Sequence, residues 1–202
     1  RSTSSIPMSR LTHSTLREVR LAYAALALAV ILWACSFPAT RVALTVLAPE
    51  HLMVTRFGIA STVLLIWAAL RGVGLPRRED WGRLLLIGLV SGFFYQMAFN
   101  HGMRGVSSGP AAAIVDTAPI FAAIMGAIWL GERLGWAGWA GMLAGLAGVM
   151  LIALGEHGDV SLEPGAILLL LAAILFATNA VMQKPLLARY GVVEMSVWLI
   201  VA

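Results

Sequence analysis

The sequence predicts an all-α fold, a polytopic bundle of transmembrane helices, and three observations carry that prediction. Of its 202 residues, 60% are apolar or aromatic and only 12% are charged, with a mean hydropathy of +0.88. A soluble domain carries about twice that charged fraction, so a bilayer must be the main solvent. The apolar residues come in blocks of roughly twenty, the length that crosses a hydrocarbon core of about 30 Å as a helix. The basic residues fall between the blocks, mostly at alternate ends. Barrel strands would alternate apolar and polar positions over about ten residues, and residues 21–33 show no such alternation.

The elements follow in order. Residues 1–19 are polar, Ser/Thr-rich and basic, and are expected to form a cytoplasmic tail. Apolar blocks then run over about 21–47, 51–70, 81–99, 106–130, 136–154 and 165–187, and a seventh begins near Val193. The chain starts at Arg1, with Met8 the first methionine, and ends inside an apolar run. We therefore expect a piece of a longer protein, holding about six and a half helices.

The net charge of +4 and the pI near 10.0 do not point to nucleic acid, because the basic residues form no single polar face. They report topology instead. Arg1, Arg10, Arg17, Arg20, Arg71, Arg77, Arg78, Arg83, Arg133, Lys184 and Arg189 fall on one side, and Arg104 alone on the other. Arg41 and Arg56 lie inside apolar blocks. The positive-inside rule places the N-terminus in the cytoplasm of a multi-pass protein of the cell membrane. Cys35, the single cysteine, excludes an intrachain disulfide and a Cys-rich zinc site. The Trp33-Ala34-Cys35 stretch is a poor lipoprotein cleavage site, since Trp33 stands where a small residue is wanted, so the first block reads as a retained anchor.

An internal repeat emerges when the chain is slid by 143 residues. Leu26, Leu28, Ala29, Ile31, Leu32 and Ala34 then fall on Leu169, Leu171, Ala172, Ile174, Leu175 and Ala177, with Trp33 on Phe176 and Arg41 on Lys184. Five helices separate the two starts. The second copy therefore enters the membrane from the opposite side, as in transporters built from inverted repeats.

Several stretches carry a family resemblance. They are LWACSFP at 32–38, TRF at 55–57, APIF at 118–121, and LGERL at 130–134 before a Gly-rich fifth helix. In that order and spacing the chain resembles the EamA family of the drug/metabolite transporter superfamily. The resemblance implies inverted five-helix repeats, ten helices in all, with both termini cytoplasmic and small metabolites as substrates. It divides the chain into a first repeat over 20–155 and the start of a second over 163–202. It also leaves open a homodimer through the fifth helix.

Candidate functional residues are the polar groups inside the blocks. A charge there costs about 2.5–3.5 kcal/mol on the insertion scale, so it defaults to a functional reading. Arg56 and Asp116 lie at similar depth and are expected to pair or to line one cavity together; a structural ion pair is the alternative. Gln96, Asn100, Asn179 and Ser36 are substrate-binding candidates, or hydrogen bonds between helices; Asn179 falls on Ser36 in the repeat. Arg41 reads as an interfacial anchor. Pro38, Pro110 and Pro119 are expected to interrupt helices one and four and free carbonyls. Gly88 with Gly92, and Gly141 with Gly145, offer small faces for close helix approach. Trp33, Phe37, Phe93, Phe94 and Tyr95 read first as packing or interfacial aromatics.

His51, His101 and His157 match no metal-ligand spacing, so no metal is expected. No phosphate-binding loop, paired catalytic carboxylates or nucleophile motif is present, which argues against an enzyme and leaves no cofactor to assign. The reading is a secondary transporter of small organic metabolites driven by a gradient, with Asp116 the candidate proton carrier. A membrane scaffold or sensor and an intramembrane lipid-modifying protein are the alternatives.

Overall fold

The computed structural model describes residues 8–132, 135–157 and 164–201. Arg1, Arg133 and the acidic stretch 158–163 lie outside the described residues, as does Glu163 at the expected start of the second repeat. Every regular element among the described residues is helical. Five segments are long and apolar enough to cross a membrane: Glu18–Ala43, Pro49–Arg71, Arg78–Gly105, Ser108–Leu130 and Pro164–Leu187. The expected all-α bundle of membrane helices is what forms.

Two compact units follow one another, Arg1–Ala39 and Thr40–Ala202. The first is α1 (Met8–Ala43), whose last residues belong to the second unit. This helix begins at Met8, well before the apolar block, so residues 8–19 are helical rather than irregular. It also continues through Pro38 without a break, contrary to expectation.

In the second unit, α2 (Pro49–Arg71) starts on a proline, whose missing N–H would have no helical partner there anyway. It stops at Gly72, whose φ of 65° lets its N–H and that of Val73 turn back onto the Ala68 and Ala69 carbonyls. A 3₁₀ turn at Arg78–Asp80 leads into α3 (Trp81–Gly88). A π-helical turn, Leu89–Phe94, then joins α3 to α4 (Tyr95–Gly105) within one span. The Tyr95 N–H reaches the Val90 carbonyl there, and the extra residue rotates the following helix by about 100°.

The fourth span is broken into α5 (Ser108–Val115) and α6 (Ala118–Leu130). Pro119 cannot donate to the Val115 carbonyl, and the chain turns at Asp116–Thr117. Pro110, by contrast, sits in the first turn of α5 and interrupts nothing. Gly131, with φ 66°, ends α6. The remaining helices are α7 (Trp136–His157), α8 (Pro164–Leu187) and α9 (Val192–Val201).

Helix α8 is the centre of this unit. It packs most extensively on α4, then on α6 and α5, while α2 packs on α9 and α4, and α5 on α7. Leu169, Ala172, Ala173 and Ala177 are fully buried on α8, since small side chains let neighbouring helices approach. The closest approach is the crossing of α4 over α8. A Cβ added to Gly102 would lie 2.9 Å from the Gly165 carbonyl oxygen and 2.7 Å from Leu169 Cγ. The glycine faces expected to serve this purpose behave differently: Gly141, Gly145 and Gly148 on α7 face open space, and Gly92 meets the Phe57 ring at ordinary contact distance.

Candidate functional site

The rotation introduced by the π-helical turn sets Gln96, Phe99, Asn100 and Met103 on the buried face of α4. Those positions recur at helical spacing, so polar groups are directed into the bundle. Tyr95 begins this face. Its ring stacks on Phe99 at 5.7 Å and leans on Phe176 of α8 at 5.6 Å. Since Tyr95 meets Phe176 while Gly102 meets Gly165, α4 and α8 run antiparallel.

Arg56 lies about two turns into α2. Its guanidinium donates a long hydrogen bond of 3.4 Å to the Thr40 hydroxyl. The Arg56 cation and the Thr40 hydroxyl thus meet between α2 and the end of α1, while the Tyr95, Phe99 and Phe176 rings gather between α4 and α8. Guanidinium and hydroxyls suit an anionic oxygen such as a carboxylate. The rings suit an apolar body attached to it.

Around this cluster the polar groups are partly committed. Asn100 is fully buried; its Nδ2 donates to the Pro49 carbonyl at 3.2 Å, and its Oδ1 has no protein partner among the described residues. Asn179 on α8 likewise has a buried, unpartnered Oδ1. Gln96 is buried on the same α4 face. At the end of α4, His101 Nε2 meets Glu50 Oε1 at 3.1 Å. Arg41 donates to the Val106 carbonyl, which agrees with an anchoring role.

Asp116 lies on the fourth span. It sits exposed at the α5–α6 break and lines a cavity of about 400 Å³ with Thr117, Pro119 and the Gly138, Gly141 and Gly145 face of α7. Arg56 stands on α2, which packs on α9 and α4, and Asp116 ends α5, which packs on α8, α7 and also α4. Ser36 belongs to the first unit, where its hydroxyl donates to the Trp33 carbonyl at 2.6 Å.

Sequence reasoning missed Thr40. It also missed a second polar cluster that joins distant segments. Asp80, only 2% exposed, accepts from Arg189 at 3.2 Å and from the Tyr190 hydroxyl at 2.6 Å. The Arg77 N–H donates to that same hydroxyl at 3.0 Å, and Trp198 Nε1 donates to the Gly74 carbonyl at 3.1 Å. Hydrogen bonding to the Asp80 carboxylate pushes the Tyr190 hydroxyl above the ordinary tyrosine value. Nearby, Lys184 reaches both Glu132 oxygens, at 2.6 and 2.9 Å.

Comparison with known proteins matches residues 20–154 to the EamA-like transporter family. The chain belongs to that family. An uncharacterized transporter of Bacillus subtilis, YdfC, is 34% identical over 79% of this chain and 52% of its own length. A probable terminal-alkyne amino-acid exporter of Streptantibioticus cattleyicolor is 35% identical over 85% of this chain and 58% of its own. The uncharacterized inner membrane transporter YedA of Escherichia coli K12 is 28% identical over 89% and 60%. The chain spans somewhat more than half the length of these curated relatives. No solved structure matches this EamA chain significantly.

Proposed function

We propose that this chain supplies the first five-helix repeat, and the opening helices of an inverted second repeat, of a secondary transporter. It exports small organic metabolites across the cell membrane by alternating access between the repeats, with the N-terminus in the cytoplasm. The observation that carries this reading is Arg56, a cation placed inside an apolar span beside the Thr40 hydroxyl. A charge is rarely kept at such a depth without a partner or a substrate. The relative named as an amino-acid exporter supports a carboxylate-bearing substrate, which Arg56 would hold.

Energy comes from a gradient in this reading, and Asp116 at the α5–α6 break carries the coupling proton. Gln96, Asn100 and Asn179 complete the polar path in this reading, and Ser36 of the first unit remains a separate substrate-binding candidate. A homodimer with contacts from α7 belongs to the same proposal.

The test is metabolite export by cells expressing the intact protein. Those cells should release small carboxylates that vector-only cells do not, and Arg56→Ala should abolish the difference. Release identical to that of vector-only cells would overturn the reading. Asp116→Asn should remove the dependence of export on external pH, and an unaltered dependence would exclude the proton role.

A further inference from the structure

The Asp80 cluster has no place in substrate binding, yet its geometry is specific. Asp80 stands at the entry to α3, in the first repeat. Arg189 and Tyr190 stand in the short connection between α8 and α9, in the second. Beneath them lies an apolar layer built from Ala68, Leu84, Ile87, Leu186, Met195 and Trp198, with the Trp81 and Trp198 rings edge-to-face at 6.2 Å. Further along the same helices opens a cavity of about 660 Å³, lined by Phe57, Gly58, Ser61, Gly88, Leu199 and Ile200 among others. The order along the bundle is a polar tie, an apolar plug and a cavity.

A buried carboxylate tied to a cation is weak evidence for stability, because desolvation offsets most of the attraction. The best-attested use of such pairs is to hold one arrangement against another. This tie crosses between the two repeats, the boundary that alternating access must move. So does the Lys184–Glu132 pair at the same end of the bundle. At the opposite end, the His101–Glu50, Asn100–Pro49 and Arg41–Val106 contacts all stay within the first repeat.

We propose that Asp80, Arg189 and Tyr190 form the cytoplasmic gate latch of this transporter, holding the apolar plug shut between the repeats. The proposal rests on the transporter reading and on the orientation given by the positive-inside rule. Opening toward the cytoplasm breaks the three contacts to Asp80 and Tyr190 and admits water to the apolar layer, where Leu84, Ile87, Leu186 and Met195 are each 1% exposed. Neither substrate nor coupling ion touches these residues.

The test follows water rather than substrate. In the full-length protein with every native cysteine, Cys35 included, replaced by serine, Ile87→Cys places a single thiol in the apolar layer, at a position only 1% exposed. A charged, membrane-impermeant maleimide reacts only with a thiol that water reaches. Tyr190→Phe and Arg189→Gln should each raise the labelling rate from the cytoplasmic side about tenfold, as expected for losing a hydrogen bond to a charged group. Tyr190→Phe keeps the ring in the apolar layer and so keeps the fold. A structural tie alone would lower thermal stability and leave labelling unchanged, and that result would overturn the latch. Unchanged labelling with export intact sinks the latch and spares the transporter reading. Faster cytoplasmic labelling in a protein that exports nothing sinks the transporter reading instead.

Discussion

A guanidinium inside an apolar helix is a standing cost to insertion, about 2.5–3.5 kcal/mol, and Arg56 recovers little of it from one 3.4 Å bond to Thr40. Arg56→Met should therefore leave the thermal stability of the purified protein unchanged or slightly higher while export falls at least about tenfold. A loss of both together would make Arg56 a structural residue. Tyr190 gives a second prediction at this scale. Its hydroxyl faces Asp80, with Arg189 on the same carboxylate and the Arg77 N–H donating to it. Its folded-state value is raised above 10.0, so the stability it contributes is fully present below that pH and lost as pH rises through the folded value. Thermal unfolding followed from neutrality into the alkaline range should show this loss in the parent protein and not in Tyr190→Phe. Arg56 was legible in the sequence because a charge stands out in an apolar block. The Asp80 cluster was not, because Asp80 and Tyr190 are each ordinary loop residues until 110 positions of chain bring them together.

At the scale of the elements, the α4–α8 crossing sets the tolerance to added volume. Gly102→Ala would drive its Cβ against the Gly165 carbonyl at 2.9 Å, and backbone cannot swing aside as a side chain can. It should lower the melting temperature by an amount corresponding to about 1–3 kcal/mol, measured by tryptophan fluorescence in detergent. Leu169→Ala in the same protein should restore only part of that, since it removes the Leu169 contact and leaves the carbonyl. Gly126→Ala is the contrasting case. Its Cβ meets the tip of Glu132 at 2.9 Å, a flexible side chain that can shift together with its exposed Lys184 partner, so its cost should be smaller than that of Gly102→Ala. Glycine spacing pointed to α3 and α7 because a sequence shows which faces are small. It does not show which faces meet, and the crossing sets Gly102 and Gly105 near the end of α4 against Gly165 at the start of α8. The α5–α6 break was legible from Pro119. Pro38 and Pro110 carry the same residue type with no break, because helix position decides what a missing N–H costs. The π-helical turn leaves no such mark, yet it directs Gln96 and Asn100 inward.

For the whole molecule, the bilayer decides the architecture more than any contact does. Residues such as Leu70 and Ile128 stand 80% and 72% exposed on spanning helices, which water would not tolerate in such number and lipid does. That is why hydropathy alone yields the all-α membrane class, with five spans among the described residues where about six and a half were expected. Orientation rests on charge, with Arg71, Arg77, Arg78 and Arg83 gathered around the α2–α3 connection and Arg104 alone at the α4–α5 connection. Short loops with many Lys and Arg residues are retained in the cytoplasm because translocating them is unfavourable. A fluorescent protein inserted after Gly74 should therefore fluoresce, and alkaline phosphatase fused after Val106 should be active on the outer side. The reverse pattern would invert the orientation and place the Asp80 latch at the outer gate. Neutralising Arg77, Arg78 and Arg83 together should weaken this preference and produce a mixed population, because Arg71 and the basic N-terminal residues still favour the cytoplasm.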